Sequence, residues 1–300
     1  MNEAATTRCG LVAVVGRPNV GKSTLVNALV GQKVSIVTPK PQTTRHRILG
    51  IKTRPDVQLV LVDTPGLHLD QKHALNRYMN RAALAAVADV DAVLLVVEPG
   101  RWGAPEDRLL EALAGFSGPV VVALNKIDTL RNKALLLPEI EALAARGDFA
   151  AIVPVSARLG DGLDRLENVL FERLPPGPFL YEPDQISDKP LRFIAAELLR
   201  EQLFLALHQE LPYALTVEIE AFEEEEGLIR IAAVIWVAKR SHKAIVIGRG
   251  GERLKDVGRR ARLAMREAFG KPVHLRTWVK VREDWHDDER ALRSLGYHGD

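Results

Sequence analysis

Lys22 and Ser23 stand side by side at the end of a glycine-bearing run, Gly16-Arg17-Pro18-Asn19-Val20-Gly21, and lead into Thr24. The spacing G-x-x-x-x-G-K-S suits a polyphosphate. The loop aims backbone N–H groups at one point, the lysine reaches the β/γ-phosphates, and the serine hydroxyl ligates Mg²⁺. Asp63-Thr64-Pro65-Gly66 adds a carboxylate to hold Mg²⁺ through water and, at Gly66, an N–H for the γ-phosphate. Asn125-Lys126-Ile127-Asp128 selects the base. A carboxylate at Asp128 accepts from guanine N1–H and from its 2-amino group. Adenine offers neither donor there, so a buried acceptor would be left unpaired. Asn125 braces the loop and reaches the base edge, the Lys126 stem lies over the base, and Ser156-Ala157 presents a backbone N–H to guanine O6. The chemistry expected is binding and hydrolysis of GTP, with Mg²⁺ as cofactor.

Each of these motifs needs a strand to deliver it, and each follows an apolar run: 11–15, 57–62, 119–124 and 150–153. Further strands are expected at 47–52 and 91–97, with helices at 22–30, 75–87, 105–115, 133–145 and 162–172. Alternating β and α units imply a doubly wound, mostly parallel sheet, whose strand C-termini form the ligand-binding edge. Residues 1–175 are read as this domain. Pro175-Pro176-Gly177-Pro178, with Glu182-Pro183-Asp184 and Lys189-Pro190, reads as an extended linker over 176–190.

Residues 191–300 carry a different pattern. A helix is expected at 191–208, strands at 214–222 and 228–237, then a short apolar-ended segment at 241–247. Gly248-Arg249-Gly250-Gly251 follows, then a basic helix over 255–269 and a last strand at 273–281. This order is that of a K-homology module, in which a glycine loop between two helices lets a sugar-phosphate backbone come close and clamps unpaired nucleotides. The predicted RNA contacts are Lys243, Gly248, Arg249, Gly250, Gly251, Arg253 and Lys255, with Arg259 beside them. Residues 239–282 hold 14 Lys/Arg against 3 Asp/Glu, a surplus of 11, although the whole chain carries only +2. A segregated basic stretch suggests a polyanionic partner. The acidic residues Glu218, Glu220 and Glu223–Glu226 read as a solvated hairpin.

With 300 residues, 47% hydrophobic and 27% charged, the composition is globular and suits two domains. No run is long enough to span a bilayer and no secretory signal opens the chain, so the expected location is the cytoplasm. Cys9, the single cysteine, excludes an intrachain disulfide and is expected near a frayed terminus.

GRPNVGKSTLVNAL (16–29), PQTTRHRILGI (41–51), DTPG (63–66), NKID (125–128), ELPY (210–213), SHKAIVIGRGG (241–251) and WVKV (278–281) together resemble the Era family of bacterial ribosome-assembly GTPases. The resemblance implies a P-loop GTPase domain followed by a smaller α+β type II K-homology domain. It also implies binding to 16S rRNA near its 3′ end during assembly of the 30S subunit, by a monomer and without a role for DNA. Thr43-Thr44-Arg45-His46 matches switch I. Thr44 is the better candidate for the Mg²⁺-ligating threonine, with Thr43 still open; Lys22, Thr44 and Gly66 are then the hydrolytic set, and Ser23, Thr44 and Asp63 the metal set. GTP would order residues 38–47 and 63–75.

Leu67 stands where many small GTPases place a water-orienting glutamine, so turnover is expected to be slow, and neither His68 nor His73 is assigned as a base. Asn19 is a candidate to help ligate K⁺. Two other readings are an RNA chaperone with a vestigial nucleotide site and a GTPase acting on protein or membrane partners. Intact Lys22, Ser23, Asp63 and Asp128 argue against the first. Peripheral contact at the inner face of the cell membrane stays as a secondary expectation.

Overall fold

The computed structural model describes residues 7–66, 73–208 and 210–297. It divides into two compact units. The first holds the described parts of Met1–Ser35, Thr44–Asp70 and Met79–Asp188. The second holds Ile36–Thr43, the described part of Gln71–Tyr78, and the described part of Lys189–Asp300.

The first unit is built on a six-stranded sheet of order β2-β3-β1-β4-β5-β6. The strands are β1 (Arg8–Val15), β2 (Ile48–Thr53), β3 (Val57–Asp63), β4 (Ala92–Val97), β5 (Val120–Leu124) and β6 (Ala151–Pro154). All pairings are parallel except β2 with β3. Alternate residues of β1 enter different cores. Val12 and Val14 pack with Leu25 and Leu29 of α1 (Lys22–Val30) and Leu166 and Leu170 of α5 (Leu163–Phe171). Ala13 and Val15 pack with Leu109 and Leu113 of α3 (Ala104–Leu113) and Leu143 of α4 (Leu136–Ala144). Cover on both faces explains the uninterrupted apolar runs. Each fully buried Val or Leu stabilises by about 1.5–3 kcal/mol, so the sheet is a stiff platform for the loops at its C-terminal edge. Helix α2 spans Ala74–Ala88.

Two expectations for this unit change. Cys9 lies within β1, buried, with Sγ 3.6 Å from the Gln58 amide oxygen, because β1 begins three residues before its apolar run. The Pro-rich stretch is held to the first unit as far as residue 188. Gly177 N–H donates to Thr7 O at 2.9 Å, and Gln58 Oε1 accepts from Leu180 and Tyr181 N–H at 2.9 and 3.0 Å. Ile51 N–H donates to Ile186 O and Leu49 N–H to Asp188 Oδ1. Residues after Pro175 thus satisfy backbone donors that a free linker would leave to water.

The second unit has a three-stranded sheet of order β7-β8-β9: Leu215–Glu225, Leu228–Val237 and Val273–Val281. The first pair is antiparallel and the second parallel, so the chain must cross over between β8 and β9. Helices α7 (Arg240–Ile247) and α8 (Glu252–Phe269) make that crossover, and α6 (Leu191–Ala206) precedes the sheet. Leu199, Leu203 and Phe204 of α6 meet Ile231 and Ile235 of β8 and Val257, Ala261 and Met265 of α8 in one core. The α-β-β-α-GxxG-α-β order is as expected, and α9 (Glu289–Ser294) follows.

The acidic run lies along β7 and at the exposed tip of its hairpin with β8, as expected. Glu218 accepts from Trp236 Nε1 at 2.7 Å, Glu220 pairs with Lys280 at 2.7 Å, and Glu225 pairs with Arg230 at 2.8 Å.

In the same unit, residues 36–43 lie on α6. Val37 N–H donates to Glu201 Oε1 at 2.9 Å, the Lys40 ammonium donates to the Phe204 and Leu207 carbonyls, and the Arg200 guanidinium to Thr43 O. Buried Arg200 is paired with Glu197 at 2.5 Å.

Candidate nucleotide site and glycine loop

β1 ends at Val15 and the chain turns through Gly16 into α1. A Cβ on Gly16 would sit 2.5 Å from Val96 O, and one on Gly21 would sit 2.4 Å from Asn125 Nδ2; both residues also have positive φ (152° and 99°). Larger residues are excluded at both ends of the loop. Lys22 is buried and its ammonium donates to Gly16 O at 2.9 Å and Arg17 O at 3.1 Å. Burial drives its pKa down to about 8, opposed in part by Asp63. A phosphate in the loop would offer this ammonium a better partner than two carbonyls.

Ser23 Oγ and Thr44 Oγ1 are 2.7 Å apart. Thr43 differs: its hydroxyl is tied to Thr38 Oγ1 and to Lys40 O at 2.7 Å. Of the two threonines, the geometry thus brings Thr44 to the P-loop serine. Asp63 is completely buried at the end of β3, and neither carboxylate oxygen has a hydrogen-bond partner among the described residues. Burial pushes its pKa up, while the nearby Ser23 hydroxyl and Lys22 ammonium pull it down. A buried, unpartnered carboxylate beside two converging hydroxyls is a hard-oxygen donor set, which fits Mg²⁺. Thr64 is pinned by its hydroxyl to Val14 O at 2.8 Å, and Pro65 is buried. Gly66 lies against the P-loop: a Cβ there would be 2.8 Å from Pro18 N. Leu67 and His68 lie outside the described residues.

The base-reading residues converge from β5 and β6. Buried Asn125 donates through Nδ2 to Val20 O at 2.8 Å and accepts from Ala157 N–H at 3.0 Å, joining P-loop to the 155–157 turn. Asp128 accepts from the Ser156 hydroxyl at 2.6 Å and from Arg158 Nη2 at 2.6 Å. The Ser156 hydrogen bond, with Arg158 beside it, holds its carboxyl below the usual range. Ser156 N–H is taken by Asp161 O at 2.9 Å and Ala157 N–H by Asn125, so guanine O6 would have to share the latter. Lys126, at φ 65°, reaches Asn19 O and Glu98.

Four residues that sequence reasoning passed over belong here. Glu98, directly after β4, pairs with Arg17 at 3.2 Å and with Lys126, and so ties the P-loop to the base-reading turn. Its position at a strand's C-terminal end was the available signal. Arg158 shares Asp128. Asn27, four residues and so one helical turn after Ser23, holds Val34 and Ser35 N–H through Oδ1 at 2.9 and 3.0 Å. That places the buried Ser35 hydroxyl near Asp63.

In the second unit, α7 ends at Gly248 and α8 starts at Glu252. Gly248, Gly250 and Gly251 have φ of 76°, 59° and 83°. Their roles differ. A Cβ on Gly248 would meet Arg253 Cβ at 2.7 Å, so this glycine allows helix α8 to pack. At Gly250 and Gly251 a Cβ would meet nothing within 4 Å. Lys243, Arg249, Arg253 and Lys255 are all exposed around this opening. Arg253 Nη1 caps α7 through Ile245 O at 2.5 Å, and Arg259 and Arg260 share Asp256 at 3.1 and 2.7 Å. Arg253 and Lys255, the cations of α8 nearest the glycines, are not paired with a carboxylate among the described residues, whereas Arg259 and Arg260 are.

Two family descriptions match: "50S ribosome-binding GTPase" over residues 11–126 and "KH domain" over 210–286. GTPase Era of Stenotrophomonas maltophilia K279a is 54% identical over 297 residues, covering 99% of this chain and all of its own. The chain belongs to the Era family of GTPases. GTPase Era of Xanthomonas campestris pv. campestris B100 matches equally, at 54% over 297 residues. Among solved structures, a variant of Aquifex aeolicus Era bound to GDP·AlF4⁻ has a TM-score of 0.92 and 36% identity, over 98% of this chain and 100% of that one. Era in complex with MgGDPNP and nucleotides 1506–1542 of 16S ribosomal RNA has a TM-score of 0.93 and 36% identity at the same coverage. An N-terminal P-loop GTPase with a C-terminal K-homology domain is thus the architecture of this chain, and GTP hydrolysis its family activity.

Proposed function

We propose that this Era-family GTPase is a cytoplasmic, monomeric, GTP-driven switch that binds 16S rRNA near its 3′ end and assists assembly of the 30S subunit. The observation that carries the reading is the open Gly250-Gly251 loop ringed by Lys243, Arg249, Arg253 and Lys255. It stands in a chain whose structural relative has been solved with nucleotides 1506–1542 of 16S rRNA. The proposed division is a GTPase domain over 1–175, a connecting segment over 176–190 that packs with the first unit as far as 188, and an RNA-binding domain over 191–300.

The geometry supports the following roles. Loop N–H groups of 16–23 and the start of α1 receive the phosphates, and Lys22 leaves Gly16 O and Arg17 O for the β/γ-oxygens. Bound Mg²⁺ would neutralise developing phosphate charge. Ser23 and Thr44 would hold it directly, and Asp63 through water. Asp128 reads guanine, giving up Arg158 as the base arrives. Gly66 N–H faces the γ-phosphate. Thr44 and Gly66 are therefore the two points that distinguish GTP from GDP, and loss of the γ-phosphate releases both segments. With no glutamine after Gly66, Asn19 would help hold K⁺ beside the phosphates, where added positive charge favours the transition state.

Crosslinking the full-length protein to RNA in cells and sequencing the bound fragments tests the reading. Fragments should concentrate at the 3′ end of 16S rRNA. Enrichment at unrelated RNA, or co-purification with membrane vesicles and no RNA, would favour the other partners.

A further inference from the structure

Outside the nucleotide site and the glycine loop, the second unit brings His73, His286 and Asp287 together. His73 immediately precedes α2, and the other two lie in the turn after β9. His73 Nδ1 is 2.8 Å from Asp287 Oδ1, and His286 Nε2 is 3.6 Å from Asp287 Oδ2. The imidazole centroids are 5.1 Å apart at 55°. One ligand atom from each residue lies within 4.8 Å of the other two.

We propose that these three side chains form a site for a zinc-class divalent ion, separate from the Mg²⁺ site. Two imidazoles and one carboxylate are a borderline donor set, which suits Zn²⁺ and is poor for Mg²⁺. With ligand bonds of about 2.0–2.1 Å, the edges of a tetrahedral site are about 3.4 Å. The two measured separations, 2.8 and 3.6 Å, run to the two different oxygens of Asp287 and bracket that value. All three ligand atoms lie within 4.8 Å of one another, and the His73 and Asp287 side chains, 50% and 44% exposed, can rotate onto one ion. Water would supply the fourth ligand of a tetrahedral ion.

The backbone under the site is fixed. Trp285 is fully buried, donates through Nε1 to Ala214 O at 3.1 Å and stacks on Tyr297 at 6.0 Å. Asp287 N–H donates to Asp284 O at 2.9 Å, and Leu75 N–H donates to His286 O at 3.1 Å. Two ligands from one rigid turn and a third from the adjoining segment need little ordering on binding, which favours affinity. The bound ion would cross-link residue 73, within the stretch expected to respond to GTP, to residues 286–287. Without metal, the same atoms make a His73–Asp287 hydrogen bond at the surface, a weak contact.

The test uses untagged full-length protein saturated with Mg·GDP, titrated with Zn²⁺ in competition with a chromophoric chelator. Co²⁺ absorption serves as a second readout of tetrahedral coordination. One tight Zn²⁺ per chain is expected. His73→Gln and Asp287→Asn should each weaken it by about tenfold or more, since even outer-shell partners of metal ligands contribute 10–100-fold. His274→Gln, on an exposed position of β9, should leave it unchanged. Zn²⁺ should also raise the midpoint of thermal unfolding in the wild type and not in His73→Gln. Absence of tight binding, or equal binding by wild type and His73→Gln, would overturn the proposal. If Asp287→Asn does not fold, the half-exposed His73 variant decides alone.

Discussion

Asp128→Asn isolates the choice of base. In the wild type the carboxylate already accepts 2.6 Å hydrogen bonds from Ser156 and Arg158, and its depressed pKa keeps it ionised at neutral pH. Guanine would donate to it twice. Hydrogen bonds to a charged acceptor are worth about 1.5–3 kcal/mol each, giving an upper range of about 3–6 kcal/mol for the pair. Asparagine keeps one acceptor oxygen, and Arg158, 74% exposed, turns to water at little cost. The net loss should therefore be about 2–4 kcal/mol, or roughly 30- to 1,000-fold in the dissociation constant. Xanthine carries a carbonyl where guanine carries the 2-amino group, so it meets the new amide donor and should gain affinity. Equilibrium titration with fluorescent GDP and XDP measures both. The fold should survive, because asparagine keeps an acceptor for the Ser156 hydroxyl and Asn125 also joins the loops. A variant with GDP affinity within threefold of wild type and no gain for XDP would refute the assignment.

Thr44→Ala should leave GDP affinity within a few-fold while abolishing any GTP-specific change in protease protection; equal loss of both nucleotides would place Thr44 outside the γ-phosphate contact. Arg200→Ala removes the buried ion pair with Glu197 and the hydrogen bond to Thr43 O and should lower stability by about 3–5 kcal/mol in denaturant titration, far more than a surface pair would. A change below 1 kcal/mol would show that water reaches the pair. Hydrolysis should be faster in K⁺ than in Na⁺, with the difference lost in Asn19→Ala; identical single-turnover rates in the two salts would remove Asn19 from that role.

The strand-then-motif pattern was legible because both faces of the parallel sheet are covered, so its strands appear as unbroken apolar runs. The glycine loop was legible as a spacing, but not the division of labour within it. Gly248 and Gly250 look alike in sequence, and only the nearness of Arg253 Cβ separates packing from access. The start of β1 was misplaced because Arg8 and Gly10 break the hydrophobic run while the ladder to β3 continues. The Pro-rich stretch reads as a linker since prolines remove donors and favour extended backbone. Its partners, Gln58 and Ile51, lie more than 120 residues earlier, beyond the reach of local pattern. Separations of 81 and 28 residues hid Arg17–Glu98–Lys126, and 214 positions kept His73 apart from Asp287.

Nucleotide and RNA are expected to be read at separate places, with the Arg249-Gly250 loop as the RNA clamp. Changing Arg249 and Gly250 together to aspartate tests this most directly. The fold should tolerate this, since Gly250 at φ 59° has room for a side chain and aspartate is among the residues that accept that backbone. Filter binding to a single-stranded 3′-terminal 16S rRNA fragment should fall at least 100-fold and lose part of its salt dependence, by a slope of about one per phosphate contact removed. Fluorescent GDP binding to the same protein should stay within twofold. Wild-type RNA affinity in the double variant would contradict the account and move RNA recognition to another surface.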